Sequence, residues 1–153
     1  MKLTHVVVAD AGRARFLVVT KDAEGRTVLD EAQDLVNPDA RLGGELFSTE
    51  RSGQRRGDRG GAPHRLDDHR RRHLAEIDRR FARDVAAEVA RRSEGKGKLV
   101  VVAAPHTLGL LRVALASTSG VPEDVVELRH DLSRLSVHAL HEALATEAVV
   151  PGR

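Results

Sequence analysis

The residues best suited to chemistry in this chain of 153 lie between positions 51 and 83. That stretch holds eleven arginines against five acids, a net of +6, while the whole chain carries a formal net charge of only +2. Its first part, 51–66, mixes glycines with Arg55, Arg56, Arg59 and Arg65 and has no apolar period. Guanidinium groups pair with phosphate, and glycines such as Gly57, Gly60 and Gly61 let a backbone approach closely, so the pattern suits RNA backbone contact. Arg70, Arg71 and Arg72 extend the basic run into the next element. Base-stacking aromatics are missing from the loop, which points away from reading single-stranded sequence. The competing reading is a solvated loop that binds nothing. Arginine outnumbers lysine 21 to 4 throughout the chain, so the clustering carries the argument and the total does not.

Carboxylates form the second candidate group. Two-metal phosphodiester chemistry needs several carboxylates converging on one edge. Asp10 ends the first predicted strand, Glu76 and Asp78 sit on the long predicted helix, and Asp131 lies near the end of the last predicted strand. The apolar run 98–104 ends in Val-Ala-Ala-Pro and offers none, which weighs against a nuclease. Asp10 also reads as an ordinary turn residue before Ala11-Gly12.

Histidines form the third. His69 and His73 are four apart and share a helix face; with His64, Asp67 or Asp68 they have metal-ligand spacing. The helix lacks the glutamate of HExxH, and solvated histidines explain the pattern equally well. His106 follows the apolar run and is expected near a sheet's C-terminal edge, where sites in α/β folds gather. With no cysteine, disulfides, thiolate zinc sites and cysteine nucleophiles are excluded. No Walker loop and no GxGxxG occurs, so no cofactor is expected.

The elements that must position these groups follow from periodicity. Leu3–Ala9 and Arg13–Thr20 read as a hairpin, and Thr27–Val36 as a third strand stopped by Asn37-Pro38. Residues 51–66 read as loop. A long helix is expected from Leu66-Asp67 to about Arg92, with Leu74, Ile77, Phe81, Val85 and Val89 on one stripe. Lys98–Ala104 is a near-continuous apolar run, as in a strand covered on both faces. A helix over His106–Ser117, a strand over Val125–Leu132 and a last helix over Val137–Ala148 complete the chain. The expectation is one α/β domain over 1–150. It has a mixed five-stranded sheet in ribonuclease H-like order, βββαβαβα, with helices packed on it. Aromatics make up 2% of the chain, so Val, Leu and Ala must build the core around Phe16, Phe47 and Phe81. No apolar run approaches a membrane span and no signal peptide is evident, so a cytoplasmic location is expected.

Four segments support a resemblance. They are VVVADAGRARFL, RGDRGGAPHRLDDHRRRHLAEIDRRFARDVAAEVA, LVVVAAPHTLGLLRVAL and VVELRHDLSRLSVHAL. In this order they resemble the host attachment protein family, described as required for attachment to host cells. That family is more distantly similar to the central domain of archaeo-eukaryotic release factors, where a Gly-Gly-Gln loop before a long basic helix promotes peptidyl-tRNA hydrolysis. Here Gly60-Gly61 precedes the helix but Ala62 follows it, and the only Gly-Gln is Gly53-Gln54. The resemblance therefore implies the fold and an RNA or ribosome partner, with Gln54 the sole candidate for catalysis. Two alternatives stand beside RNA binding: release-factor-like peptidyl-tRNA hydrolysis through Gln54, and a homo-oligomer or adaptor whose basic loop grips an acidic protein.

Overall fold

The computed structural model describes residues 3–39 and 63–152, the side chains of 63–66 excepted. Strands β1 (Thr4–Ala9) and β2 (Arg13–Lys21) form the predicted hairpin, with Thr4 opposite Val19 and Ala9 opposite Ala14. Asp10 closes it: its Oδ1 accepts the backbone N–H of Gly12 and of Arg13, each at 2.8 Å. Strand β3 (Thr27–Glu31) returns antiparallel to β2 through a turn at Asp22, whose Oδ1 accepts the N–H of Glu24 and of Arg26.

The predicted strand 27–36 is two strands, and among the described residues the sheet has six strands rather than five. Leu17 pairs with Glu31, yet Ala14 pairs with Leu35 of β4 (Leu35–Val36). Residues 32, 33 and 34 thus oppose only 15 and 16. The extra residue is a β-bulge, and it reverses which face each later side chain meets. Leu29 accordingly packs in one core and Leu35 against the other.

Helix α1 runs Pro63–Ser93, so it starts earlier than predicted, and the last four residues of the expected 51–66 loop are helical. Proline suits a first helical turn because its missing N–H has no intrahelical partner there. Glu94 and Gly95, both at positive φ, end the helix. Gly97 (φ +83) then lies against the start of β1: a Cβ there would fall 2.0 Å from the Leu3 carbonyl oxygen. The Lys98 N–H donates to that same oxygen at 2.9 Å.

Strand β5 (Lys98–Ala103) lies parallel to β1 and to β6 (Asp124–Leu128), giving the order β3-β2-β1-β5-β6 with β4 also on β2. β6 stops at Leu128, four residues before the predicted end. Helix α2 spans Pro105–Ala116, and helix α3 spans Val137–Thr146, its Ser136 cap accepting the Ala139 N–H. Alternate β-strand residues face opposite ways. Val7, Phe16, Leu99 and Val101 meet α1 and α2, while Val6, Val8, Leu17, Val100 and Val102 meet α3. Burial on both faces explains the continuous apolar run of β5. Phe16 and Phe81 are core rings; Phe47 lies outside the described residues. No helix among the described residues is long and apolar enough to cross a membrane.

Candidate nucleic-acid interface

Helix α1 has 31 residues and is about 46 Å long at 1.5 Å per residue. Its predicted stripe is real: Ile77, Phe81, Val85 and Val89 are buried, and Leu74 is half-buried. No residue from 67 to 76 is buried. The described stretch 67–73, DDHRRRH, is thus polar and lies outside the core that fixes the rest of the helix.

The arginines divide along this axis. Arg79 and Arg83 pair with Glu76 at 3.5 and 3.1 Å. Arg91 and Arg92 pair with Glu88, and Arg80 reaches Asp39 at 3.8 Å. The Arg83 hydrogen bond first, then the nearby guanidinium charges, hold the Glu76 carboxyl below the usual range. Glu88 is lowered the same way by Arg91 and then Arg92. Arg71 and Arg72 are exposed, and among the described residues neither has an ion-pair partner; Arg70 is half-buried. Unpaired arginines on the described part of α1 therefore lie toward its amino-terminal end. Asp67 and Asp68 in the same turns offset part of their charge. The remaining candidates of this group, Gln54, Arg55, Arg56, Gly57, Arg59, Gly60 and Gly61, lie outside the described residues, as do the side chains of His64 and Arg65.

The histidine and carboxylate groups come out differently. His69 and His73 are exposed, and no group of three His, Asp or Glu among the described residues is placed to hold a metal. The parallel pairing of Ala9 with Ala103 brings Asp10 and the start of α2 to one sheet edge, and α1 adds Asp78. His106 Nε2 stands 3.5 Å from Asp78 Oδ2 there. With Phe81, Thr107 and Leu110, Asp10 and Asp78 line a cavity of about 10 Å³, room for about one water. Glu76 instead points to its arginines, and Asp131 accepts a hydrogen bond from Ser133 Oγ at 2.9 Å. Among the described residues, two carboxylates, one of them holding a turn, do not make a two-metal centre.

Sequence pattern alone does not single out Arg15. It is 4% exposed, in the middle of β2. Its Nε and Nη2 donate to Glu31 Oε1 and Oε2 at 2.7 and 2.8 Å, and Nη1 donates to the carbonyls of Leu135 (2.6 Å) and Ser133 (3.2 Å). One buried cation thus joins β2, β3 and the segment before α3. An arginine within an apolar strand, RARFLVV, is the available signal, since buried charges are paired. Arg92, 4.8 Å over the Phe16 ring, is likewise unforeseen.

A family model described as "protein required for attachment to host cells" matches residues 5–144. No curated protein matches the chain.

Proposed function

The chain belongs to the family of proteins required for attachment to host cells, and we propose that it acts there by binding RNA or the ribosome through the start of α1 and the Gly/Arg segment before it. One observation carries this reading: the arginines beyond residue 76 that face Glu76 or Glu88 are each in an ion pair, whereas Arg71 and Arg72 have no ion-pair partner among the described residues and stand on a stretch of helix that the core does not use. A helix segment polar on all sides gains little from its own fold and is suited to contact with something else. Arg55, Arg56, Arg59 and Arg65 would add phosphate contacts, and Gly57, Gly60 and Gly61 would allow close approach. The partner is a phosphate backbone, read by charge and shape.

Two finer readings attach to this one. The strand order β3-β2-β1-β5-β6, antiparallel on one side of β1 and parallel on the other, supports a ribonuclease H-like arrangement. Release-factor similarity is supported by position, because α1 opens at Pro63, two residues after Gly60-Gly61. On that reading Gln54 would serve peptide release, and Gln54→Ala would abolish it while leaving ribosome binding intact. A cytoplasmic protein of this kind would influence attachment indirectly, through translation of other proteins.

The test is binding of the intact chain to RNA and to ribosomal subunits as salt is raised. Arg71→Ala/Arg72→Ala is expected to weaken binding and to reduce the log–log salt slope by about 0.7 to 0.9 for each phosphate left without its arginine. Arg79→Ala/Arg83→Ala is expected to change both far less. Equal effects of the two variants, or no binding at low salt, would overturn the proposal.

A further inference from the structure

β6 is the edge of the sheet on the side away from the hairpin: it pairs with β5, and no described strand covers its outer edge. An open edge presents unpaired backbone N–H and C=O groups, a template for another strand. This edge also presents apolar surface. Val125 on β6 is 38% exposed. Beside it is an open cavity of about 290 Å³ lined by Leu115, Val121, Pro122 and Val125 and bounded by the Arg112–Glu127 ion pair. That pair holds Glu127 by both of its carboxylate oxygens, and the Arg112 hydrogen bond first of all keeps its carboxyl below the usual range, so Glu127 stays ionised beside the β6 edge.

We propose that β6 pairs antiparallel with β6 of a second copy of this chain, joining two sheets across a two-fold axis. With that axis normal to the sheet, each residue faces the same side in both copies, so opposed residues must share parity. Three registers then compete. Centring on Val125 sets Glu123 against Glu127, and centring on Glu127 sets that carboxylate against itself; like charges directly opposite are destabilising. Centring on Val126 opposes Val126 to Val126, Val125 to Glu127, Asp124 to Leu128 and Glu123 to Arg129. Among the registers that oppose three or more β6 residues to one another, this one avoids like-charge pairs, and it forms two Glu123–Arg129 pairs by symmetry, from the residues just beyond each end of β6. Both residues are exposed, and neither has an ion-pair partner among the described residues. The interface is little more than one strand wide, so association is weak and concentration-dependent.

Sedimentation equilibrium of the full chain over a range of concentrations tests this. The wild type is expected to approach twice the 16.7 kDa chain mass as concentration rises. Glu123→Arg and Arg129→Glu each replace two attractive pairs by two repulsive ones and are expected to weaken the dimer by about tenfold or more. The double variant Glu123→Arg/Arg129→Glu restores opposite charges and is expected to return the dimer constant to near the wild-type value. A wild type that stays monomeric, a dimer indifferent to both single reversals, or a double variant no better than the singles would overturn the proposal. Because the two single variants act independently, either alone decides the matter if the other does not fold. Neither touches Arg70, Arg71 or Arg72, so failure to dimerise and failure to bind RNA are separable.

Discussion

At the scale of single residues, the most buried charge among the described residues is Arg15. Its guanidinium is satisfied by both oxygens of Glu31 and by two backbone carbonyls. That hydrogen bonding, together with the Arg15 and Arg13 charges, holds the Glu31 carboxyl below its ordinary range even though burial opposes it. A depressed folded-state value means stability that is present above the unfolded carboxylate value, ~4.3, and lost as pH falls through the folded one. Glu31→Gln is therefore expected to flatten the loss of stability on acidification. It should also cost on the order of 3 kcal/mol at neutral pH, because Arg15 stays buried without its counter-charge. Arg15→Met/Glu31→Met is expected to recover much of that cost, since removing both partners also removes their desolvation. Chemical denaturation at pH 7 and near pH 4 measures both effects. The exposed Glu76, paired with Arg83 at the surface, should show a far smaller change on substitution to Gln.

At the scale of elements, backbone constraints at two glycines separate strain from collision. Gly25 turns β2 into β3 at φ +79 with nothing near its missing Cβ, so Gly25→Ala is expected to cost about 1 kcal/mol, from the left-handed conformation alone. Gly97 joins α1 to β5 at φ +83 with the Leu3 carbonyl in the way, so Gly97→Ala is expected to cost more than about 2 kcal/mol, measured as a larger fall in thermal midpoint. The elements themselves are largely legible in the residues. The apolar stripe 77–89 and the runs at 4–9 and 98–103 mark helix and strands because burial on one face or two leaves a clear period. The bulge at 32–34 is not legible. It depends on the register against β2, a long-range pairing that alternation within 27–36 cannot express. The start of α1 is hard to place from the residues because Pro63 suits a loop as well as a first helical turn. Arg15 stays hidden for a reason related to the bulge: its acid partner is 16 residues away and its carbonyl partners more than 100.

At the scale of the whole molecule, two surfaces carry the proposals. One edge strand, β6, carries the proposed self-pairing. The start of α1 carries the proposed phosphate contacts, with the glycine-rich segment preceding it in sequence. The basic stretch 51–83, a single patch by composition, is uneven in its described part: ion pairs with Glu76 engage Arg79 and Arg83, while Arg71 and Arg72 have no ion-pair partner among the described residues. Net charge alone would spread RNA affinity along the whole helix. On the proposed reading, the distribution of ion pairs concentrates it at one end. The salt dependence of binding to ribosomal subunits, compared between Arg71→Ala/Arg72→Ala and Arg79→Ala/Arg83→Ala, separates these two pictures most directly. The account predicts weaker binding and a shallower slope for the first pair and little change for the second. Equal effects in both, or no association of the wild type at low salt, would contradict it.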